Sequence, residues 1–270
     1  MHTPNASVDQ KFHQASTYFS HKPRTGLAKY LPSLVFYTKL LIGPFRWLCM
    51  KAAKGECDDV CWVRGSVWFS DQVEDLGCPL CIEGLEHLTN VQKPCIIVAN
   101  HMSTLETFLL PGIIRPFMPI TFVVKDSLIS MPFFGPVMRS RNPVVVGRSN
   151  PREDLTTVLN EGSKRLADGI SLIIFPQSTR MQTFDPKHFN TIGEKLAKKA
   201  NVPLIPLALK TDAWTAGKYI KEIGPIRGGM PVHFRFGAPK MVTSNSKTVH
   251  AEICDFISTS LAAWSADQPR

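Results

Sequence analysis

A histidine and a glutamate stand five positions apart in the stretch ANHMSTLE, residues 99–106. His101 follows an apolar run, residues 95–99, that is typical of a buried strand. A helix that begins near Ser103 would carry Glu106 on its first turns, so its carboxylate could reach back to one imidazole nitrogen. The other nitrogen would then accept a proton from a hydroxyl, which is the arrangement of general base catalysis. The alternative is a buried histidine whose hydrogen bond is satisfied by a helix carboxylate.

Two further groups of polar residues also follow apolar strands directly. Gln177, Ser178, Thr179 and Arg180 come after the strand predicted at residues 172–175 and a Phe-Pro turn, and Arg148 follows the run at residues 144–146. Hydroxyls, an amide and an arginine suit an anionic oxygen cluster such as phosphate. Each group ends a strand, which is where α/β folds place their sites. The alternative for the first group is an ordinary polar turn.

The elements that would position these residues alternate along the chain. Short, β-branched runs predict strands, and longer periodic segments with capping residues predict helices. The predicted strands are 96–99, 120–124, 144–146, 172–175, 204–209 and 232–236, and the predicted helices are 153–168, 191–200 and 251–264. This alternation indicates an α/β domain over residues 82–270, with a mixed, largely parallel sheet flanked by helices.

The N-terminal part has a different character. Residues 1–25 are polar and predict a flexible arm. Residues 26–54 predict amphipathic helices broken at Gly43-Pro44, with lysines, Arg46 and aromatic residues at the edges of an apolar face. The charges and the proline argue against a single membrane span. We interpret these helices as associated with an anionic membrane surface; the alternative is a pair of amphipathic helices packed on a soluble core.

The overall composition restricts the partners. The chain has 270 residues, 44% of them hydrophobic, and a net charge of +9, so it can form a core and favours polyanions. Its basic residues are not interleaved with aromatic ones, which disfavours nucleic acid. Seven cysteines, an odd number, and the absence of an apolar leader argue against a secreted disulfide scaffold. We therefore expect a reducing compartment and the cytoplasmic face of the membrane.

Four of the cysteines fall in a segment of their own, residues 55–81. Cys57 and Cys61 form one close pair, and Cys78 and Cys81 form another. Two short pairs at this separation resemble a four-cysteine zinc site. The alternatives are free packing cysteines or a redox-labile pair. No metal ligand is assigned elsewhere in the chain.

Taken together, the motifs resemble those of the glycerolipid acyltransferase family, of the 1-acylglycerol-3-phosphate acyltransferase type. NHMSTLE is similar to the family's N-H-x-x-x-x-D motif with glutamate in place of aspartate, and NPVVVGR retains the arginine of G-x-x-F-I-x-R. FPQSTR is similar to the E-G-T-R motif after F-P, with Gln177 for glutamate and Ser178 for glycine. VPLIP matches the V-P-x-x-P motif fully. The resemblance covers about residues 82–245.

The resemblance implies transfer of an acyl chain from a thioester, acyl-CoA or acyl carrier protein, to the hydroxyl of a lysophospholipid. His101 would be the general base, oriented by Glu106. Arg148 and Arg180, with Lys125, would hold the acceptor phosphate. No acyl-enzyme and no cofactor are required. The two replacements in the third motif bear on the choice of acceptor more than on the reaction.

Two alternatives of other classes remain open at the level of sequence. One is an acyl-thioester or lysolipid hydrolase that uses the same His101/Glu106 pair with water as the acceptor. The other is a non-catalytic, basic membrane-binding protein. The chain has no G-x-S-x-G, G-x-x-x-x-G-K-[ST], G-x-G-x-x-G or H-E-x-x-H sequence, which disfavours standard hydrolases, P-loop and Rossmann proteins and zincins. We expect a monomer on the membrane surface.

Overall fold

The computed structural model describes residues 11–13, 15–177, 179–218, 221–243 and 246–266. Within these residues the strands β1 to β8 are Thr17–Ser20, Leu80–Glu83, Ile96–Ala99, Ile120–Lys125, Val144–Val146, Ser171–Ile174, Leu204–Lys210 and Val232–Phe236. The helices α1 to α10 are Pro32–Ile42, Pro44–Ala53, Asp59–Asp75, Glu86–Asn90, Leu105–Ile114, Asp126–Ile129, Phe134–Arg139, Pro151–Ala167, Ile192–Ala200 and Ser246–Ala266. Two short 3₁₀ helices are Gly26–Lys29 and Pro186–His188.

The eight strands form one sheet in the order β1-β2-β8-β7-β3-β6-β4-β5. Strands β7, β3, β6, β4 and β5 are parallel to one another, while β8 is antiparallel to β7 and β1 is antiparallel to β2. The predicted fold class, a mixed and largely parallel sheet flanked by helices, is confirmed. The carboxyl ends of the five parallel strands share one edge, which we call the C-terminal edge.

Both faces of the sheet are covered. Ile97 and Ala99 of β3 belong to the core that includes side chains of α1, α2, α3 and α5. Ile96 and Val98 belong to a second core that includes side chains of α8, α9 and α10. Successive side chains of a strand point to opposite faces, so a central strand covered on both sides must be apolar at every position. This explains why β3 reads as an uninterrupted apolar run.

The N-terminal arm differs from the flexible segment predicted for residues 1–25. Residues 1–10 lie outside the described residues, but Thr17–Ser20 form the edge strand β1. Phe12 is buried, and the Lys11 ammonium lies 2.7 Å from an Asp71 oxygen. Tyr18 donates a hydrogen bond of 2.7 Å to the buried Glu74 carboxylate. These contacts come from α3, far along the chain, so a polar local composition did not indicate them.

The predicted break at Gly43-Pro44 is confirmed, since α1 ends at Ile42 and α2 begins at Pro44. Phe36 and Leu40 of α1 face the core, whereas Leu41 and Ile42 are exposed. Among the described helices, none combines the length and hydropathy that crossing a membrane requires. One face of these two helices therefore packs on the domain, while another face exposes apolar side chains to solvent.

The cysteine-containing segment, residues 55–81, is not set apart from the domain as its composition suggested. Its main element is α3, which buries Trp62, Phe69 and Val73. Asp58 caps this helix by accepting a hydrogen bond of 2.7 Å from the Cys61 amide. The side chain of Phe69 stacks on Phe108 of α5 with ring centroids 4.6 Å apart. Helix α3 is thus part of the core beneath α5.

Helix α5 is supported from α3 at the turn that contains Pro111. The Gly112 amide donates to Ser66 Oγ at 2.8 Å, and Ser66 Oγ donates to the carbonyl of Phe108 at 2.5 Å. The hydroxyl therefore bridges the amide and carbonyl that an uninterrupted helix would join directly. A Cβ on Gly112 would lie 2.8 Å from Ser66 Oγ, so the close approach of the two helices requires glycine.

Replacing Gly112 with alanine should destabilise the protein by about 1–2 kcal/mol. Helix propensity favours alanine by about 1 kcal/mol, but overpacking costs about 1–3 kcal/mol and the Ser66 bridge is also strained. Urea unfolding gives the free energy of unfolding. Gly65→Ala is the matched control, because its Cβ would lie 3.2 Å from a Leu48 methyl and a shift of a few tenths of an ångström suffices. Equal stability of Gly112→Ala and the unmodified protein would contradict this account of the helix contact.

Candidate active site at the C-terminal edge

Asn100, at the end of β3, extends the pairing of the sheet through its side chain. Its amide nitrogen donates to the carbonyl of Leu209 at 2.8 Å, and its amide oxygen accepts from the Leu209 amide at 2.9 Å. The side chain is buried and both halves of its amide are satisfied. This contact fixes the end of β3 against β7, so that His101 leaves the sheet at a defined position.

His101 and Glu106 are in direct contact, as the sequence predicted. Imidazole Nδ1 lies 2.8 Å from Glu106 Oε1. Glu106 is completely buried on the first turn of α5, while the His101 side chain keeps 15% of its surface exposed. The ring of His101 stacks on Phe175 at 4.4 Å between centroids. Because Nδ1 faces a carboxylate, Nε2 is the ring nitrogen that can exchange a proton with another molecule.

The buried carboxylate of Glu106 is surrounded by hydrogen-bond donors. Oε1 accepts from the amides of Met102 at 2.8 Å and Ser103 at 3.0 Å. Oε2 accepts from Ser103 Oγ at 2.9 Å and from Thr211 Oγ1 at 2.6 Å. Burial by itself raises the pKa of the Glu106 carboxyl, but the hydrogen bonds from His101, Thr211 and the Ser103 amide and the charge of His101 outweigh it. The net pKa lies below its usual value, so Glu106 is a carboxylate despite its burial.

The loop after β6 holds the backbone of His101 from both sides. Gln177 Oε1 accepts a hydrogen bond of 2.7 Å from the His101 amide, and the Met181 amide donates to the His101 carbonyl at 2.9 Å. Gln177 is buried, and its Nε2 has no hydrogen-bond partner among the described residues. The amide of Gln177 thus fixes His101, whereas the sequence suggested a contact with phosphate.

Arg180 lies beside the first turn of α5. Its Nη1 donates to Thr104 Oγ1, and its Nη2 lies 2.8 Å from Glu222 Oε1. Thr104 is the N-cap residue of α5, between His101 and Glu106 in sequence. Thr179 is exposed next to Arg180, and Ser178 lies outside the described residues. A guanidinium group is therefore adjacent to the helix that carries the acid of the His101 pair.

Lys125 and Arg148 lie further along the same edge. Lys125 is the last residue of β4, and Arg148 comes after β5; the register of the two strands places Lys125 opposite Val146. Adjacent strands are about 4.8 Å apart, so β4 and β5 lie roughly 10 and 14 Å from β3. Both side chains are exposed. The backbone of Arg148 has a positive φ of 58° and is held by Asp154, which accepts from its amide at 3.2 Å.

The four cysteines do not fit a zinc site. Helix α3, about 25 Å long, lies between the two pairs, with Cys61 in its first turn and Cys78 beyond its end. A tetrahedral site needs all four sulfurs about 2.3 Å from one ion. Within the described parts of the chain, no three His, Cys, Asp or Glu side chains are grouped so that they could hold a metal ion. All seven cysteines are free thiols.

Comparison with known proteins identifies the family. The model of the family described as Acyltransferase matches residues 79–210. The 1-acyl-sn-glycerol-3-phosphate acyltransferase of Pseudomonas aeruginosa is 30% identical over 212 residues, covering 77% of this chain and 78% of that protein. The chain belongs to the acyltransferase family. It is an enzyme of the 1-acylglycerol-3-phosphate acyltransferase type, as its motifs predicted.

Other comparisons agree with this assignment. The 1-acyl-sn-glycerol-3-phosphate acyltransferase of Saccharomyces cerevisiae is 30% identical over 162 residues, 58% of this chain and 52% of that protein. The crystal structure of PlsC, the 1-acyl-sn-glycerophosphate acyltransferase of Thermotoga maritima, superposes with a TM-score of 0.66. It is 19% identical, and the match covers 88% of this chain and 96% of that one. That likeness shows a shared fold.

Sequence reasoning missed three residues that support the pair in this acyltransferase, namely Asn100, Ser103 and Thr211. No site residue is predicted on the strand of the VPLIP motif or at the residue that follows it. In the structure this strand is β7, and Thr211 directly after it donates to Glu106. The rule that polar residues at the C-terminal edge are functional candidates would have identified Thr211, had it been applied to this strand as well.

Thr211→Val should destabilise the protein by about 1.5–3 kcal/mol at neutral pH, because a buried carboxylate loses a hydrogen-bond donor. The folded-state pKa of Glu106 is lowered, so its stabilising contribution is complete above the unfolded pKa of about 4.3 and is lost as the pH falls through the folded-state pKa. In Thr211→Val the folded-state pKa rises, so the acid-induced loss begins at higher pH.

Urea unfolding at a series of pH values measures both effects. Thr211→Ser is the matched control, because it keeps the hydroxyl and removes only a methyl group. If Thr211→Val and Thr211→Ser have the same stability and the same pH dependence, the hydroxyl of Thr211 does not stabilise the Glu106 carboxylate.

Proposed function

We propose that the protein transfers a fatty acyl chain from an acyl thioester to the free hydroxyl of a 1-acylglycerol-3-phosphate. The observation that carries this proposal is the contact of 2.8 Å between His101 Nδ1 and the buried carboxylate of Glu106, with Arg180 beside the same helix turn. The relatives from Pseudomonas aeruginosa and Saccharomyces cerevisiae are named for this acceptor. The acyl donor is either acyl-CoA or an acyl chain carried as a thioester on acyl carrier protein.

In the proposed reaction His101 Nε2 takes the proton of the acceptor hydroxyl, and the oxygen attacks the carbonyl carbon of the thioester. The tetrahedral intermediate collapses by breaking the carbon–sulfur bond. The thiol leaves with the proton that His101 returns. Glu106 holds the imidazole in the tautomer with a proton on Nδ1 and stabilises the charged imidazolium that forms. The acyl chain passes directly between the substrates, so the step needs neither an acyl-enzyme nor a metal ion.

Arg180, with Lys125 and Arg148, forms the proposed binding site for the acceptor phosphate. All three cations lie along the C-terminal edge, on the side of His101 formed by β6, β4 and β5. An arginine recognises phosphate through paired hydrogen bonds, while a lysine acts as a point charge. Because the free hydroxyl and the phosphate of 1-acylglycerol-3-phosphate are on neighbouring carbons, the phosphate would lie beside Arg180, and the long side chains of Lys125 and Arg148 would reach it from β4 and β5.

Loss of the base should abolish transfer. We expect His101→Ala and Glu106→Gln each to lower kcat/KM by at least about 10²-fold, because proton transfer by a positioned base contributes a factor of this size. The assay measures labelled diacylglycerol phosphate formed from 1-acylglycerol-3-phosphate and acyl-CoA or acyl carrier protein. It also measures released fatty acid.

His87→Ala is the matched control, because α4 follows β2 at the opposite edge of the sheet. Unfolding midpoints establish that the variants are folded. Full transfer by either active-site variant would contradict the mechanism. Release of free fatty acid without transfer, at a rate that depends on His101, would identify a hydrolase instead.

We further propose that α1 and α2 bind the cytoplasmic face of an anionic membrane. Leu41 and Ile42, at the turn between these helices, are 58% and 72% exposed. Phe133 is 75% exposed with a positive φ of 66°, and the next residue, Phe134, stacks on Phe45 of α2 at 6.1 Å. Exposed aliphatic side chains at the turn between α1 and α2, and an exposed aromatic ring at the start of a helix that contacts α2, are suited to a lipid interface. The net charge of +9 favours anionic lipid.

Replacing both Leu41 and Ile42 with serine should weaken binding to vesicles of phosphatidylglycerol and phosphatidylcholine by about tenfold. The two apolar side chains would then no longer contribute the favourable free energy of transfer from water into the lipid. Co-sedimentation measures the bound fraction. Met241→Ser is the control, because Met241 is also exposed but lies near the start of β7, away from α1. Unchanged vesicle binding by the double variant would exclude the helix turn as a membrane contact.

A further inference from the structure

Glu222 lies in the segment that connects β7 to β8, and residues 224–226 of this segment are held by contacts with α1. Trp214 and Ile226 form a bridge within it. Tyr37 of α1 donates to the carbonyl of Gly224 at 2.5 Å, and the amide of Ile226 donates to Ser33 Oγ at 3.0 Å. The chain is thus anchored to α1 at the residues that directly follow Glu222.

The carboxylate of Glu222 binds the guanidinium that the acceptor phosphate is expected to use. Glu222 Oε1 lies 2.8 Å from Arg180 Nη2, and the two side chains are 40% and 21% exposed. The other terminal nitrogen, Nη1, donates a hydrogen bond to Thr104 Oγ1. A phosphate that binds the fork of Nη1 and Nη2 must replace these partners, because carboxylate and phosphate oxygens approach a guanidinium in the same way.

We infer that Glu222 is a specificity-determining residue, which occupies the phosphate subsite on Arg180 until a phosphate-bearing acceptor displaces it. This inference rests on the proposed function. A neutral headgroup cannot replace the charge that Arg180 loses when Glu222 leaves, whereas a phosphate can. Glu222 therefore raises the KM for every acceptor that must bind Arg180, and it excludes lysolipids or alcohols without an anionic group. It also keeps the arginine extended next to the N-cap of α5 when no acceptor is bound.

The test compares Glu222→Gln with the unmodified protein at saturating acyl donor. Glu222→Gln removes the negative charge and keeps the size of the side chain. The KM for 1-acylglycerol-3-phosphate should fall by about two- to fivefold, the range expected for a partly exposed ion pair. Activity with the neutral acceptor 1-acylglycerol should also rise, because this acceptor no longer has to displace a charged partner from Arg180. Unchanged activity with 1-acylglycerol would contradict the exclusion of neutral headgroups by Glu222.

Glu161→Gln is the matched control, because Glu161 is 36% exposed and forms ion pairs with Lys164 and Arg165 on α8, outside the site. It should leave the KM unchanged. Glu222→Asp keeps the charge on a shorter side chain and should give a KM between those of Glu222→Gln and the unmodified protein. An unchanged or higher KM in Glu222→Gln would overturn the inference.

A direct binding measurement separates this inference from the proposed function. Isothermal titration with glycerol 3-phosphate should show tighter binding to Glu222→Gln than to the unmodified protein, and loss of binding in Arg180→Gln. If no acyl transfer is found with any donor, the proposed function fails, while this binding result still supports the role of Glu222. Equal affinity of the two proteins for glycerol 3-phosphate would overturn that role even if transfer is observed.

Discussion

The active site depends on keeping one buried carboxylate charged. Glu106 is completely removed from water, and burial of an uncompensated carboxylate would be strongly unfavourable. Amides of Met102 and Ser103, the hydroxyls of Ser103 and Thr211, and the His101 imidazole replace the lost water. Because these donors are fixed by the fold, the carboxylate does not have to reorganise when the imidazole gains a proton. The same donors that stabilise the fold therefore support the proposed general base.

These donors reach Glu106 because three parallel strands end side by side. Strand β3 supplies His101, β6 leads to Gln177 and β7 leads to Thr211, and β3 lies between the other two. Asn100 closes the pairing of β3 with β7, while Gln177 binds the His101 amide from the other side. On one face, α3 contacts α5 through Ser66, which hydrogen-bonds to Phe108 and Gly112 in the turns that follow Glu106. The His101/Glu106 pair is thus held by the ends of the central strands and by the helices packed on them.

Charge is arranged differently on the two sides of His101. On the buried side, the carboxylate of Glu106 accepts hydrogen bonds at both of its oxygens. On the open side the cations Arg180, Lys125 and Arg148 face solvent along the C-terminal edge, and Arg180 is paired with Glu222. The loop that carries Glu222 is attached to α1, which is also the helix proposed to contact the membrane. The proposed phosphate subsite and the helices proposed to contact the membrane are thus parts of one packed unit.

The sequence by itself determined the His101/Glu106 pair, the family, six of the strands and the helix break at Gly43-Pro44. Those features depend on local spacing, on strand periodicity or on the geometry of proline, all of which neighbours in the chain specify. Only the tertiary structure decided that β1 is part of the sheet, that the cysteine pairs lie at opposite ends of α3, and which groups Thr211, Asn100 and Glu222 contact. The pairing of β1 and the contacts of Glu222, Thr211 and Asn100 join residues that are 42 to 109 positions apart in the chain, such as Arg180 with Glu222 and Asn100 with Leu209. Long-range packing brings such residues together, and no local pattern of residue types records it.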